Sequence, residues 1–275
     1  MPQPQYLLCT DLDRTLLPNG EAPELADARS RFATLAARPE LIVAYVSGRD
    51  LGRIEQAIAQ YNLPWPDFAV ADVGTTINQA TGSEAANQRW QPLQSWQAHL
   101  ATIWSPEQRS EISQLLSDLP LTPQEADRQG DFKQSYTCDP TLDKSPLDQT
   151  ITQRLAQIPC RCIWSRDDES GERLLDILPR GADKLAAVRM LQQRCQIGNS
   201  HTLFAGDSGN DMEVLTSDIP SVLVANAHAD IRQQARASVQ QSGLSHTLFL
   251  PTPNDTPGSG CYGDGILQAF AHYFS

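Results

Sequence analysis

The sequence predicts an α/β fold, an open parallel sheet with helices on both faces and a smaller α+β domain inserted into it. Three observations lead there. Short runs that are apolar throughout recur along the chain, as expected of strands covered on both sides. Each is followed by a loop and then a helical pattern. Between about residues 80 and 180 this alternation breaks, and two helical segments stand side by side. The 275 residues, 40% of them hydrophobic, suffice for one sizeable core and a second smaller one.

The first strand is "YLLCT" (6–10), with a helix over 24–37 behind it. "LIVAYV" (41–46) and "FAVADV" (68–73) are the next two strands, with a helix over 50–60 between them. After the insert come a helix over 183–194, the strand "TLFAG" (202–206), a helix over 209–216, the strand "SVLVA" (221–225) and helices over 229–237 and 264–273. This is a Rossmann-like order. "PTPNDTPGSG" (251–260) is a surface loop by composition. Inside the insert, "QPLQSWQAHLATIW" and "EQRSEISQLLSD" predict two helices. "FKQSYTCD" (132–139) then predicts a strand, 146–157 a helix, and "RCIWS" and "RLLDIL" two more strands. The expected division is a core domain of 1–80 and 180–275, with an inserted domain of 81–179.

The net charge of −12 disfavours nucleic acid and anionic membrane as partners. It also means that a phosphate-bearing substrate needs local positive charge from Lys, Arg, a metal or backbone N–H groups. The six cysteines show no zinc-site or C-x-x-C spacing, so reduced thiols are expected. No apolar run approaches the length of a membrane span, and the N-terminus lacks the features of a signal peptide. A cytoplasmic protein is the expectation.

In an open parallel sheet, ligands bind beyond the carboxyl ends of the strands. The first strand is followed there by Asp11, Asp13 and Thr15, the second by Ser47, Gly48 and Arg49. "GDSGND" follows the fourth core strand with Asp207, Asn210 and Asp211, and Lys184 opens the helix before it. Clustered carboxylates repel unless a cation neutralises them, and oxygen ligands without His or Cys point to Mg²⁺. A carboxylate beside Mg²⁺ can attack phosphorus and form an aspartyl-phosphate. A second carboxylate two residues on can protonate the leaving oxygen and then deprotonate the attacking water. Ser47 and Lys184 would hold the non-bridging oxygens. Singly each motif has a plain alternative, as a turn, a solvated lysine or a Gly/Asp loop; their order along the chain carries the reading. Arg49 reads as an ion-pair partner beside its helix, and Asn226 falls at a further strand end, where it would line the pocket. Trp90, Trp96 and Trp104 read as core residues, and none of the histidines has ligand spacing.

"DLDRTLL", "SGR", a lone Lys before a helix and "GDSGND", in this order, resemble the four motifs of the haloacid-dehalogenase-like phosphatase superfamily. The resemblance implies Asp11 as nucleophile and Asp13 as general acid/base, with its backbone carbonyl on Mg²⁺. It implies Ser47, Gly48 and Lys184 as the phosphate site, Asp207 as a metal ligand, and Asp211 as binding or orienting the metal and its waters. The insert matches the α/β cap of the sugar-phosphatase subgroup. Within it "DVGTTI" (72–77), "KQSY" (133–136) and "LLDILPRGADK" (174–184) are similar to stretches of sucrose-phosphate phosphatases. This resemblance implies Thr76, Lys133, Tyr136, Asp176 and Asn210 as substrate-binding residues. Thr76 stands where many of these relatives have Glu. Lys133 and Tyr136 also read as an exposed Lys and a half-buried Tyr on an edge strand, and Asp176 as a buried acid at the hinge.

The implied reaction is Mg²⁺-dependent hydrolysis of sucrose 6-phosphate, with mannosylfructose phosphate or an amino-sugar phosphate as alternative substrates. The implied partner is a glycosyltransferase or synthase of the same pathway. A non-catalytic sugar-phosphate-binding companion of such a synthase is the reading from another class, and a phospho-acceptor signalling module is a further one. The latter has no need of a hundred-residue insert or of a second Asp two after the acceptor.

Overall fold

The computed structural model describes residues 5–83, 88–166, 171–252, 254 and 256–274. The chain divides into two compact units, Met1–Pro92 with Lys184–Ser275, and Leu93–Asp183.

The first unit is built on an eight-stranded sheet. Its strands are β1 (Tyr6–Thr10), β2 (Leu41–Val46), β3 (Phe68–Ala71), β4 (Thr76–Ala80), β5 (Trp90–Pro92), β10 (Thr202–Gly206), β11 (Ser221–Leu223) and β12 (Leu248–Phe249). The order is β12-β11-β10-β1-β2-β3-β4-β5. From β12 to β3 every pairing is parallel. Leu7, Leu8 and Cys9 of β1 are fully buried, as the uninterrupted apolar run requires of a strand covered on both faces. The helices are α1 (Ala28–Ala36), α2 (Leu51–Tyr61), α6 (Lys184–Cys195), α7 (Met212–Leu215), α8 (Ala229–Gln241) and α9 (Tyr262–Phe274). Phe32 and Leu35 of α1 and Ile266, Ala269 and Phe270 of α9 share one apolar cluster with Leu8, Val43 and Leu203 of the sheet. The chain leaves β1 on one side toward β2 and returns beside it on the other as β10. The carboxyl ends of β1 and β10 therefore flank the reversal point where α/β sheets bind ligands.

The structure differs from the expectations in four details. The parallel sheet carries an antiparallel extension: β4 pairs with β3 and β5 with β4. The first unit accordingly runs to Pro92 and not to residue 80, because "WQP" completes the sheet edge before the chain departs. The strand expected over 68–73 ends at Ala71, where Asp72, Val73 and Gly74 all take positive φ (54°, 61° and 101°) and turn the chain back into β4. The helix expected over 209–216 is a 3₁₀ turn (Gly209–Asp211) running into the short α7. In the loop 251–260, Pro253 and Asp255 lie outside the described residues.

The second unit holds β6 (Thr122–Pro123), β7 (Gln134–Cys138), β8 (Cys160–Arg166) and β9 (Arg173–Pro179) in an antiparallel sheet ordered β6-β7-β9-β8. Helices α3 (Gln94–Ala101), α4 (Pro106–Leu115) and α5 (Lys144–Arg154) accompany it. Ser105 and Gln108 form a capping box at the start of α4, with Pro106 at the first helical position. One face of the sheet packs its own core, in which Tyr136, Cys138, Leu175 and Ile177 meet Trp104, Ile112, Leu147 and Ile151. Among the described residues no helix is long and apolar enough to cross a membrane. All six cysteines are free.

Candidate active site

Asp11 is the first residue past β1, and its N–H donates to the Ala205 carbonyl of β10 (2.9 Å). The two parallel strands thus fix it at the reversal point. Asp207 and Asp211 follow β10, and Lys184 is the first residue of α6. All four side chains are nearly inaccessible: Asp11 4%, Asp207 4%, Asp211 0% and Lys184 2% exposed. The Lys184 ammonium lies 3.0 Å from Asp11 Oδ1 and 2.7 Å from Asp211 Oδ1, and it also donates to Asn210 Oδ1 (3.3 Å).

Two of the three buried carboxylates pair with the one buried ammonium, and the charges of the cluster are out of balance. Burial pushes the Asp11 carboxyl well above the usual range; Lys184 opposes this, while Asp211, Asp207 and Asp13 add to it. Burial and the Asp211 charge push Asp207 up to about 7. Burial would lower the Lys184 ammonium, but Asp11 and Asp211 outweigh it and hold it charged. One oxygen each of Asp11, Asp207 and Asp211 lies within 4.8 Å of the others. A buried all-oxygen donor set with excess negative charge fits a hard divalent cation of the Mg²⁺ type.

The loop after β10 is closed by Asp211 itself. Its Oδ2 accepts the amides of Asp207 and Ser208, both at 3.1 Å. That closure needs Gly206, since a Cβ there would sit 2.6 Å from Asp211 Cγ. Asp211 is thus partly committed to shaping the loop that presents Asp207. Thr15 donates to Asp207 Oδ1 (3.3 Å), and Arg14 Nε lies 3.7 Å from Asp207 Oδ2.

Asp13 occupies a different environment. Arg49 reaches it with a two-pronged pair, Nε to Oδ2 at 2.8 Å and Nη2 to Oδ1 at 2.6 Å, and Asn19 donates to Oδ1 at 2.7 Å. Burial alone would raise the Asp13 carboxyl, but the Arg49 bonds and charge, with Asn19, hold it below its ordinary value. Two acids two residues apart are therefore pushed in opposite directions, the signature of paired acids with distinct roles.

Ser47 directly follows β2, fully buried, with its N–H on Val70 O (2.9 Å) and its hydroxyl accepting from the Arg49 amide (3.1 Å). The left-handed run at 72–74 pins this loop. Val73 N–H donates to Ser47 O (3.1 Å) and Asp72 N–H to Arg49 O (2.9 Å). The Thr76 hydroxyl holds the Asp72 carboxylate (3.2 Å), so it braces the same turn.

In the second unit, the residues of "KQSY" divide between the faces of the sheet. Tyr136 belongs to the apolar core, with its hydroxyl toward Gln134 Oε1 (3.3 Å). Ser135 pairs in register with Asp176 and donates to its Oδ1. Lys133 is 5% exposed. By strand alternation Ser135 and Asp176 share the face opposite to Tyr136.

The first unit thus brings Asp11, Asp207, Asp211, Lys184 and Asn210 into one cluster, with Asp13, Ser47 and Gly48 on the neighbouring loops. Sequence reasoning passed over Arg14, Asn19 and Gly206. Arg49 reads as an ion-pair partner beside its helix, and it does form an ion pair, with Asp13, while also donating to the Arg53 carbonyl of α2 (3.4 Å). The glycine directly before "DSGND" was a usable signal for a close approach; the contacts of Arg14 and Asn19 have none in one dimension.

The profile of the sucrose-6F-phosphate phosphohydrolase family matches residues 4–274. A protein of Nitrosococcus oceani named as a HAD-like hydrolase is 44% identical over 98% of this chain and 72% of its own length. The glucosylglycerol-phosphate synthase of Pseudomonas anguilliseptica is 31% identical over 97% of this chain, which spans 30% of that enzyme. Among solved structures, the sucrose-phosphatase of Synechocystis sp. PCC6803 in complex with sucrose and phosphate has a TM-score of 0.77 at 26% identity, covering 98% of both chains.

Proposed function

Because this chain belongs to the sucrose-6F-phosphate phosphohydrolase family and is a haloacid-dehalogenase-like phosphoric monoester hydrolase, we propose that it hydrolyses sucrose 6-phosphate to sucrose and phosphate with Mg²⁺. The observation that carries the reading is the convergence of Asp11, Asp207, Asp211 and Lys184 at the carboxyl ends of β1 and β10.

Asp11 Oδ attacks phosphorus as the ester P–O bond breaks, and the leaving sugar oxygen takes a proton from Asp13. Asp13 then takes a proton from water, and that water attacks the aspartyl-phosphate and frees Asp11 and inorganic phosphate. Lys184 and the Ser47 hydroxyl, beside Gly48, hold the non-bridging oxygens. Mg²⁺, held by Asp11, Asp207 and the Asp13 carbonyl with Asp211 shaping the loop, would neutralise charge on the phosphoryl oxygens. Arg49 keeps Asp13 ionised, the form that accepts a proton from water. For Asp13 to donate to the leaving group, the Arg49 fork must loosen.

The unit Met1–Pro92 with Lys184–Ser275 carries this chemistry, and Leu93–Asp183 selects the sugar. In that unit the proposed sugar-contacting residues are Lys133 and Asp176, with Ser135 holding Asp176; in the core unit, Thr76 and Asn210 are proposed to bind substrate. Tyr136 supports them from the apolar core. The cellular setting is cytoplasmic, beside a synthase that makes the phosphorylated sugar. Support comes from the family match and from the likeness to a sucrose-phosphatase over nearly all of both chains.

The test is phosphate release in Mg²⁺ and in EDTA from sucrose 6-phosphate, mannosylfructose phosphate, glucosylglycerol phosphate, glucose 6-phosphate and an amino-sugar phosphate. Metal-dependent release with at least tenfold preference in kcat/KM for sucrose 6-phosphate is expected. Preference for another ester would replace the sugar and keep the reaction. Release from none would leave a binding companion of a synthase as the reading.

A further inference from the structure

Arg14 lies between Asp13, the proposed acid/base, and Thr15, whose hydroxyl donates to Asp207 Oδ1 (3.3 Å), and its φ is +55°. A residue with a Cβ rarely adopts that conformation unless its surroundings enforce it. Here both of its backbone polar groups are taken by asparagine side chains. Asn19 Oδ1 accepts the Arg14 N–H at 2.8 Å, and Asn226 Nδ2 donates to the Arg14 carbonyl at 2.6 Å. Asn226 is just past β11, more than two hundred residues along the chain. Its other atom, Oδ1, accepts the N–H of Tyr262 (3.0 Å), which opens α9 and is itself left-handed at φ +49°. One side-chain amide therefore serves two left-handed non-glycine residues, one in the loop of the proposed nucleophile and one at a helix start.

We propose that Asn226 is a positioning residue for phosphoryl transfer: its amide N–H₂ holds Arg14 left-handed and so fixes the peptide planes that aim Asp13 and Thr15. With the bond lost, Arg14 relaxes toward negative φ. The peptides on either side rotate, the Asp13 carboxylate leaves its place between Arg49 and Asn19, and the Thr15 hydroxyl leaves Asp207. The effect falls on turnover, because both ends of the Asn226 amide are engaged by backbone, the Arg14 carbonyl and the Tyr262 N–H. Only the kinetic part of this inference rests on the phosphatase reading.

Three variants test it, assayed with p-nitrophenyl phosphate and Mg²⁺ so that the identity of the sugar does not enter. Asn226→Asp keeps an oxygen for Tyr262 N–H and replaces the donor that faces the Arg14 carbonyl. Asn226→Ala removes both bonds. Arg14→Gly supplies a residue that adopts positive φ unaided. Each Asn226 variant is expected to lower kcat roughly tenfold, about 1.4 kcal/mol in the barrier, with KM within about twofold. Either change made on the Arg14→Gly background is expected to cost less than about twofold, since no strained residue remains to be held. Wild-type kcat in Asn226→Asp, or an equal loss in both backgrounds, overturns the inference. A crystal structure of Asn226→Asp decides independently: φ of Arg14 below zero is expected, and a retained left-handed Arg14 overturns it. A wild-type chain that released phosphate from no ester would sink the phosphatase reading, and the crystal structure would still judge this one.

Discussion

A methyl group on Gly206 would sit 2.6 Å from Cγ, 2.7 Å from Cβ and 2.7 Å from Oδ2 of Asp211. Ordinary contact begins near 3.4 Å, so in Gly206→Ala the Asp211 side chain must retreat by roughly 0.8 Å. It has little room: Oδ2 is fixed by the Asp207 and Ser208 amides and Oδ1 by Lys184. Overpacking a tight site costs about 1–3 kcal/mol, and a weakened hydrogen bond to a charged group costs about 1.5–3 kcal/mol. A total near 3 kcal/mol lowers Tm by roughly 6–12 °C in a chain of this size. Asp207 hangs from the same loop, and misplacement on the ångström scale costs about a hundredfold in rate. Gly209→Ala is the control in that loop, since its nearest neighbour would be Ile231 Cδ1 at 4.0 Å. Thermal denaturation and phosphate release with Mg²⁺ read both quantities. A Gly206→Ala protein within 2 °C and twofold of wild type, or one indistinguishable from Gly209→Ala, would refute the argument that this glycine exists for the Asp211 approach.

Asp11→Asn should abolish turnover, by about a thousandfold or more, while circular dichroism stays unchanged and Tm without metal does not fall, because the variant removes one of three crowded buried charges. The raised Asp207 carboxyl predicts a pH dependence of the metal-free fold. The folded state keeps its proton up to about 7 while the unfolded chain releases it near 3.8. Stability therefore falls as pH rises between those values and levels off above about 7. In EDTA, Tm should be lower at pH 8 than at pH 5.5, and Asp207→Asn should flatten the difference; a wild-type Tm higher at pH 8 with no change in the variant would contradict it. In the second unit, Asp176→Asn should raise KM for the preferred sugar phosphate about tenfold, whereas Tyr136→Phe should leave it within about twofold. The reverse order, measured by steady-state kinetics, would return the sugar contact to Tyr136.

Much of the molecule is readable in one dimension for a physical reason: buried parallel strands announce themselves as unbroken apolar runs, and the residue after each run is where ligands bind. β1, β2 and β10 match their apolar runs residue for residue, and Asp11, Ser47 and Asp207 follow from them. The antiparallel extension was hidden because "TINQA" is half polar and "WQP" is three residues ending in proline; both depend on their neighbours rather than on their own pattern. The 72–74 turn was hidden because Asp and Val carry no mark of a left-handed backbone. The Arg49–Asp13 pair joins loops after two different strands, and local sequence holds no trace of it. The burial of Tyr136 in the apolar cluster was hidden because a four-residue likeness does not say which face of a strand each residue takes.

The insert begins at Leu93 and the core resumes at Lys184. Of the residues assigned to phosphoryl transfer, Asp11, Asp13, Ser47, Arg49, Asp207 and Asp211 lie away from both junctions, and the lysine is itself a junction residue. The architecture is therefore a cassette with one keyed end. At Pro92 the splice is free of chemical obligation. At Asp183 it must deliver the chain so that the next residue opens a helix with its ammonium among three acids. Exchange of Leu93–Asp183 for a foreign segment becomes a problem of phasing a single helix start.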